Sequence, residues 1–390
     1  MPTLRIDKGG ILPSVTIPSS KSYANRALIL ASIKKSPVTI QNIPKADDVV
    51  HLIRALKNIG LEIEQSGAEV IFRNSFPDCE KADRDIEVGE GGTTARFLAT
   101  MLLLGKKKYH LKLGQRLKAR PWQEFLELAK ELGAFAELKD AVLTVQGALT
   151  APSSLAVDCS RTTQFATGLD LILGNTKVTP KNLESSQSYW AMNAPLKEHF
   201  RNHNHYRVPS DWSSAAFPMV FAALNQKVFF PELADDLYQA DSKLTGVLQN
   251  LGSLQRNADG MTVSRVTKNQ NIKLDMSDCL DLFPAMIFLL SHVEGKHELT
   301  GLTNLAHKES DRMKEIEKLL SAFERKFQST EKSITIEGSN KICGPKDLHL
   351  PDDHRIVMVA ALFLRHHSGG TLDHAESVNK SYPGFFEIFH

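Results

Sequence analysis

The chain has 390 residues, of which 42% are hydrophobic and 24% charged, with 47 Lys and Arg against 45 Asp and Glu. This length predicts two or three domains with real cores, and the composition excludes a disordered, collagen-like or coiled-coil chain. The balanced charge argues against general binding to nucleic acid or to an anionic membrane. The longest apolar run, near 356–364, is about half as long as a bilayer span.

The N-terminal residues and the cysteines indicate where the protein works. The opening residues, MPTLRID, contain no apolar stretch of a secretory signal. Cys79, Cys159, Cys279 and Cys343 lie far apart in the sequence and lack the spacing of a metal site. We therefore expect reduced thiols and a cytoplasmic protein.

One kind of segment recurs six times along the chain: a short polar cluster and then a strongly apolar run. Each cluster contains Ser, Thr or Asp, which are the residues that cap helix N-termini. The runs have almost no polar face, which predicts helices that are buried on all sides. The clusters are marked by Ser22, Thr93, Thr163, Ser213, Asp281 and Asp353.

A second pattern lies between these runs. An amphipathic helix is followed by two alternating strands in the segments 52–72, 125–147, 244–266 and 316–338. The step of 50 residues from Thr163 to Ser213 is shorter than the others, which are 68 to 72 residues. The sequence therefore predicts an α/β protein of two similar domains, each built from three repeats.

The predicted helix starts are rich in cations, namely Lys21, Arg26, Arg96, Arg161 and Arg355. A helix N-terminus has unpaired N–H groups and a partial positive charge, so it binds anions. Side-by-side helices would bring these ends to one cleft, suited to a ligand with several phosphate or carboxylate groups. For any single cluster, a capped helix with solvated charges is the better interpretation, but the six clusters together favour an anion-binding site.

Two further stretches carry candidate chemistry. The segment 114–122 places Arg116, Lys118 and Arg120 before a proline that is typical of a first helical turn, although a basic loop is an equal alternative. Lys308 and Glu309 are adjacent and could share acid–base work, although an exposed helix start has the same pattern. Phosphate-binding P-loop, dinucleotide-binding and GxSxG motifs are absent from the sequence.

Nine stretches follow one another in order along residues 12–389: PSSKSYANRALILAS, GEGGTTARFL, RLKARP, TTQFATGL, SDWSSAAFP, LDLFPA, NLAHKESDR, DDHRIVM and NKSYPGFF. Together they resemble the enolpyruvyl transferase family. The resemblance implies two domains, 1–17 with 212–390 and 18–211. Each would have three βαβαββ-type repeats with buried helices, an inside-out α/β barrel, and the active site would lie in the interdomain cleft.

The resemblance also implies a reaction. The enolpyruvyl group of phosphoenolpyruvate would move to the 5-hydroxyl of shikimate 3-phosphate by addition and elimination, with release of phosphate. This step belongs to the shikimate pathway of aromatic amino-acid biosynthesis. We expect these two small molecules as partners, no metal or organic cofactor, no nucleic acid or membrane, and a monomer.

Roles for individual residues come from the same resemblance. Asp281 would be the base for the 5-hydroxyl, Glu309 the proton donor to the methylene carbon, and Lys21 an aid to charge and proton movement. The residues expected to bind phosphoenolpyruvate are Lys21, Gly92, Arg120, Gln164, Arg312, Arg355 and Lys380. Those expected to bind shikimate 3-phosphate are Lys21, Ser22, Arg26, Thr162, Thr163, Gln164, Ser186, Asp281, Asn304 and Lys308.

Some positions depart from the pattern of the family. Glu90 stands where an asparagine is usual, and a carboxylate there repels an anionic ligand unless it is paired or turned away. This residue supports one alternative, a non-catalytic or altered-substrate paralogue that binds an anionic metabolite. A transferase acting on a UDP-sugar is a second alternative, which the SKSYANR stretch and the absence of a cysteine after Gly105 disfavour.

Overall fold

The computed structural model describes residues 3–81 and 84–390. The chain forms two compact units: a terminal unit, Met1–Pro18 with Ser210–His390, and an inserted unit, Ser19–Pro209. Both units are α/β, and each contains three sheets among its described residues. The arrangement as an inside-out barrel stays a prediction.

Strand β1 (Leu4–Ile6) precedes the inserted unit, whose sheets have the strand orders β11-β2-β4-β3, β5-β6-β8-β7 and β10-β9. Its helices are α1 (Lys21–Ile33), α2 (Asp47–Asn58), α3 (Gly92–Leu102), α4 (Gln115–Lys118), α5 (Gln123–Glu131), α6 (Gln164–Ile172), α7 (Gln187–Ala191) and α8 (Asn193–Asn202). Its strands are β2 (Val38–Gln41), β3 (Ile63–Ser66), β4 (Glu69–Phe72), β5 (Arg84–Glu87), β6 (Lys108–Lys112), β7 (Phe135–Lys139), β8 (Val142–Gln146), β9 (Ser154–Asp158), β10 (Lys177–Lys181) and β11 (His205–Arg207).

The terminal unit has sheets of order β1-β20-β19, β12-β14-β13 and β15-β16-β18-β17. Its helices are α9 (Trp212–Asn225), α10 (Leu244–Asn250), α11 (Phe283–Leu290), α12 (Arg312–Ala322) and α13 (His354–His366). Its strands are β12 (Val228–Pro231), β13 (Leu254–Asn257), β14 (Gly260–Val263), β15 (Lys273–Asp275), β16 (Gly295–Thr300), β17 (Lys326–Ser329), β18 (Ser333–Gly338), β19 (Lys346–Leu348) and β20 (Gly370–Leu372). Short 3-10 helices cover Ala240–Lys243, Thr303–His307, Ala375–Lys380 and Phe385–Ile388.

Each unit has a core of three apolar helices. Helices α1, α3 and α6 contact one another in the inserted unit, and α9, α11 and α13 do so in the terminal unit. Every residue of α11 is buried. Helices α3, α6, α11 and α13 each connect two parallel strands, as in pairs such as Ile86 with Leu111. The predicted buried helices are confirmed, and burial on all sides explains why they lack a polar face.

The caps of these helices agree only partly with the predicted markers. Ser20, Asp211 and Asp353 cap α1, α9 and α13 with side-chain oxygens that accept backbone N–H groups. Thr93 and Asp281 do not cap: α3 begins after Gly91, and α11 after Leu282. A glycine at the cap costs little, because water or a ligand can take the free N–H groups.

The amphipathic helices are confirmed as α2, α5, α10 and α12, each followed by a two-stranded hairpin. Gly133 follows α5 with φ 77° and Gly252 follows α10 with φ 68°, the left-handed conformation that ends many helices. All four cysteine thiols are free. Across the described part of the chain, no helix is both long and apolar enough to cross a bilayer.

Helices α3 and α6 approach closely at Gly168, and we expect Gly168→Ala to destabilise the inserted unit by about 1–3 kcal/mol. A Cβ at this position would overlap the Thr100 hydroxyl and lie 3.1 Å from its methyl carbon. Urea unfolding measures the loss. Gly174→Ala is the matched control, because a Cβ there meets nothing within 4 Å. Equal unfolding midpoints for the two variants would contradict the close approach.

Candidate functional site

In the terminal unit, an ion pair joins the starts of α12 and α13. Arg312, the first residue of α12, donates through Nε to Asp353 Oδ2 at 2.9 Å and through Nη2 to Asp353 Oδ1 at 3.2 Å. Both side chains are buried, with exposures of 2% and 0%. Burial lowers the pKa of Arg312, but Asp353 and Asp281 outweigh it and raise the pKa above its ordinary value. The guanidinium is therefore charged at every working pH.

Asp281 lies among three cations. Its Oδ1 accepts from Arg312 Nη1 at 2.8 Å and lies 3.5 Å from Lys308 Nζ, and its Oδ2 lies 3.2 Å from Arg355 Nη2. Burial by itself would raise the pKa of Asp281, but Arg355, Lys308 and Arg312 hold it well below its ordinary value. The free protein therefore presents an ionised carboxylate whose basicity is suppressed by its neighbours.

Glu309 lies between a lysine and a histidine. Lys380 Nζ is 2.8 Å from its Oε1, and His354 Nδ1 is 2.9 Å from its Oε2. Burial would raise the pKa of Glu309, but His354 and Lys380 lower it well below its ordinary value. The pair Lys308–Glu309 predicted from the sequence is thus divided, since each side chain serves a different carboxylate–cation cluster.

Glu309, Asp353 and His354 each place one ligand atom within 4.8 Å of the others, a spacing that a metal ion could use. The same oxygens already bind Lys380, Arg312 and the Ser310 hydroxyl, which donates to Asp353 at 2.9 Å. These cations supply the positive charge that a metal would bring. The donor set therefore suits Lys and Arg better than a metal ion.

In the inserted unit, Lys21 and Arg26 begin α1. Lys21 Nζ lies 2.9 Å from Asp48 Oδ2 at the start of α2, and both side chains are largely buried. Arg26 donates to the Asn193 side chain at 3.0 Å and to the Tyr189 carbonyl at 2.7 Å. Burial lowers the pKa of Arg26 to about 10, so it stays charged at neutral pH.

Gln164 is held by Arg96. Arg96 Nη1 donates to Gln164 Oε1 at 2.7 Å and to Thr162 Oγ1 at 3.3 Å, and Gln164 Nε2 donates to Thr93 Oγ1 at 2.8 Å. The Arg96 guanidinium also packs on the rings of Trp122 and Phe165. This network places two of the predicted ligand-binding side chains, Gln164 and Thr162, on one buried arginine.

Arg120 lies beside the start of α3. A Cβ on Gly92 would be 2.8 Å from Arg120 Nη1 and 3.4 Å from Gln164 Oε1, so the glycine leaves room for the Arg120 guanidinium beside the start of α3. Burial and the nearby charge of Arg120 lower the pKa of Arg96 to about 9. Among the described residues, no carboxylate forms an ion pair with Arg96 or Arg120. Two arginines without a paired anion, beside a helix N-terminus, favour an anionic ligand.

Glu90 is engaged by the protein. Its Oε2 accepts the backbone N–H of Leu117 at 3.0 Å, and its carboxyl group packs against Gly114, where a side chain would not fit. The carboxylate is therefore held in place by a backbone donor of the first turn of α4.

The other predicted residues lie at helix starts or turns. Ser22 is in the first turn of α1, and its carbonyl accepts from Arg26. Thr163 occupies the N-cap position of α6, and Ser186 that of α7, with φ 61°. Asn304 lies in the 3-10 helix Thr303–His307. The clusters of the terminal and inserted units are thus each assembled, and the predicted interdomain cleft stays a prediction.

Sequence reasoning did not predict the pairings that organise these clusters. Asp48 pairs with Lys21, Arg96 holds Gln164, and Asp353 holds Arg312. Asp353 had a usable signal, because an Asp directly before an apolar helix is a typical cap. Asp48 had none, because its partner lies 27 residues away.

Solved structures share this fold. An EPSP synthase structure from Acinetobacter baumannii matches with a TM-score of 0.79 and 21% identity, covering 99% of this chain and 97% of that one. The enolpyruvyl transferase NikO from Streptomyces tendae matches with a TM-score of 0.78 and 14% identity, over 99% and 96% of the two chains. The fold is therefore that of the enolpyruvyl transferases.

Sequence relatives identify the particular family. A family model described as EPSP synthase (3-phosphoshikimate 1-carboxyvinyltransferase) matches residues 8–186 and 182–389. A 3-phosphoshikimate 1-carboxyvinyltransferase of Thermococcus kodakarensis is 30% identical over 95% of this chain and 94% of its own. One of Clostridium beijerinckii is 28% identical over 100% and 97%. The chain belongs to the EPSP synthase family, and it is an enzyme of the transferase class.

The Arg312–Asp353 pair yields a stability prediction. Asp353→Asn leaves a buried guanidinium with one carboxylate instead of two, so we expect a loss of about 3 kcal/mol at pH 7. The pKa of Asp353 lies below its ordinary 3.8 because Arg312 outweighs the effect of burial. Its contribution is therefore present above that pH and is lost as the pH falls through the depressed pKa.

Urea unfolding at pH 7 and at acid pH measures this difference, which should shrink in acid. Asp347→Asn is the control, because Asp347 is exposed and accepts only from Thr371 among the described residues. It should change the free energy of unfolding by less than about 0.5 kcal/mol at either pH. An Asp353→Asn loss that is the same at both pH values would contradict the ion-pair account.

Proposed function

We propose that this chain transfers the enolpyruvyl group of phosphoenolpyruvate to the 5-hydroxyl of shikimate 3-phosphate and releases phosphate. Family membership supports this reaction. The observation that carries it is the cluster around Asp281, because a potential base lies within 3.5 Å of three cations. Such a cluster suits a reaction in which an anionic reactant approaches a hydroxyl that must lose a proton.

Phosphoenolpyruvate would take over cations that carboxylates hold in the free protein. Arg312, Arg355 and Lys380 now bind Asp281 and Glu309. When the phosphate and carboxylate of the substrate pair with these cations, the two protein carboxylates lose part of their stabilisation. Their pKa values then rise, because a nearby anion favours the protonated form.

This rise suits the roles of the two carboxylates. Asp281 becomes a stronger base, able to accept the proton of the 5-hydroxyl as its oxygen attacks C2 of phosphoenolpyruvate. Glu309, once protonated, can donate to the methylene carbon, which becomes the methyl group of the tetrahedral intermediate. Elimination then breaks the C2–O bond to the phosphate as the methyl group returns a proton to Glu309, and the proton held by Asp281 leaves with the phosphate.

The inserted unit would supply the remaining contacts. Lys21, Gly92, Arg120 and Gln164 would bind phosphoenolpyruvate. Shikimate 3-phosphate would be bound by Lys21, Ser22, Arg26, Thr162, Thr163, Gln164 and Ser186 of this unit, with Asp281, Asn304 and Lys308 of the terminal unit. The support is the anion-binding character of Arg96, Arg120 and the start of α3. We also propose that the protein is a monomer, that it needs no cofactor and that it is located in the cytoplasm.

The rival function is a paralogue that binds an anionic metabolite without turnover. Its main support was the charge of Glu90, and that carboxylate accepts a hydrogen bond from Leu117 N–H. This hydrogen bond fixes the carboxylate and leaves its charge, so family membership is what favours the transferase.

Phosphate release tests the proposed function. The purified protein should release phosphate only when phosphoenolpyruvate and shikimate 3-phosphate are both present, since neither substrate alone completes the addition. Omitting each in turn is the control. Binding of shikimate 3-phosphate in calorimetry without release would instead establish the non-catalytic paralogue.

The roles of the two carboxylates are tested by Asp281→Asn and Glu309→Gln. Each removes a proton-transfer group while keeping its shape, so kcat should fall about 10²- to 10⁴-fold. Shikimate 3-phosphate binding should survive in Glu309→Gln, which keeps the ligand set proposed for that substrate. Asp278→Asn, three residues before Asp281, is the control and should keep kcat within about twofold. Near-normal turnover in both test variants would overturn the assignment.

A further inference from the structure

A third carboxyl group lies in the terminal unit, outside the set considered so far. Asp241 is on the 3-10 helix Ala240–Lys243 and has no exposed surface. Its Oδ2 accepts a hydrogen bond from the Ser213 hydroxyl, in the first turn of α9. Within the described residues, its Oδ1 has no hydrogen-bond partner.

The charged groups around Asp241 belong to the starts of the three buried helices. Asp281, just before α11, and Asp211, the cap of α9, repel an ionised Asp241, whereas Arg355 of α13 attracts it. The Cys279 thiol also interacts with it. A carboxyl group in this position is therefore coupled directly to the proposed base and to one of the cations that hold the base.

We propose that Asp241, fully buried and held by Ser213 at the start of α9, is a positioning residue that tunes how readily Asp281 accepts the proton of the acceptor hydroxyl. The inference rests on the proposed function. Asp241 acts through Asp281 and touches no reacting atom. A negative charge on Asp241 makes Asp281 more basic by repulsion, and it weakens the hold of Arg355 on Asp281 by competing for the same guanidinium.

The Asp241 carboxyl group changes its protonation near neutral pH. Burial, then repulsion by Asp281, raise its pKa to about 7, against the opposing effects of Arg355 and Ser213. Below that pH the Asp241 carboxyl group is neutral. The four cations Lys308, Arg312, Arg355 and Lys380 then outnumber the ionised carboxylates of Asp281, Glu309 and Asp353. Above it, an added negative charge raises the basicity of Asp281 and reduces the attraction for anionic substrates. The kcat and KM values should therefore rise together with pH.

The first experiment compares pH profiles of kcat and KM between wild type and Asp241→Asn, which keeps the shape and cannot ionise. The ratio of wild-type to variant kcat should rise about three- to tenfold between pH 6 and pH 8.5, equivalent to about half to one pKa unit in Asp281. The wild-type KM for phosphoenolpyruvate should rise over the same range and the variant KM should not.

Asp236→Asn is the matched control. Asp236 lies in the same turn and accepts from Tyr238 N–H at 2.8 Å and from Gln239 Nε2 at 2.9 Å. Its loss should lower the melting temperature and leave the pH profile parallel to wild type. A purely structural role for Asp241 predicts that same parallel profile for Asp241→Asn, and this result would overturn the proposal.

Ser213→Ala provides a second, signed test that does not depend on Asp241→Asn folding. The Ser213 hydroxyl lowers the pKa of Asp241, so its removal should move the inflection of the kcat profile to higher pH. An inflection that stays in place, or moves to lower pH, counts against the proposal.

Carbon-13 spectra of aspartate-labelled protein measure the coupling without turnover. One carboxyl resonance should titrate near neutral pH in wild type and be absent in Asp241→Asn. In Asp281→Asn that titration should move to lower pH, because the repelling charge is gone. A failure of wild type to release phosphate would refute the proposed function, but the carbon-13 titration of Asp241 could still be measured. An unmoved Asp241 titration in Asp281→Asn would refute the coupling itself.

Discussion

The terminal unit depends on one buried ion pair, Arg312 with Asp353. A charge removed from water requires a partner of opposite sign, so neither residue is tolerable without the other. Asp353 also caps α13 through its contact with Arg355 N–H at 3.1 Å, and Arg312 reaches Asp281 before α11. One guanidinium therefore joins the starts of three helices, α11, α12 and α13.

The cations of the terminal cluster and the two arginines beside α3 are satisfied in opposite ways, whereas Lys21 of the inserted unit pairs with Asp48. In the terminal unit, Asp281 and Glu309 occupy the arginines and lysines, so binding an anion means exchanging one anionic partner for another. In the inserted unit, Arg96 is enclosed by aromatic rings and lies near Arg120, and no described carboxylate pairs with either. An anion that binds beside Arg96 and Arg120 would instead reduce the repulsion between their positive charges. Exchange would change the pKa values of Asp281 and Glu309, the proposed proton-transfer groups, whereas relief of repulsion would supply affinity, and the proposed transfer between anionic substrates needs both.

The elements were predictable because their signals are local. An apolar run without a polar face predicts a buried helix such as α11, and an amphipathic run followed by alternation predicts α5 with its hairpin. The pairing of carboxylates with cations, in contrast, has no local signal in the sequence. Asp48 lies 27 residues from Lys21, and Asp241 occurs in an ordinary polar stretch, QADSK, with no pattern that sets it apart. Charge pairing depends on how the helices pack, which residue spacing does not specify.

The buried Asp241 also links affinity to basicity. A site that binds two anions benefits from an excess of positive charge, but the same excess suppresses the base that must remove a proton. A single carboxyl group that ionises near neutral pH gives the cluster a net charge between the value that favours anion binding and the value that favours a strong base. A fixed charge at this position, whether always neutral or always ionised, would favour one requirement at the expense of the other. This conflict gives a physical reason for a carboxyl group, rather than an amide, at this buried position beside the start of α9.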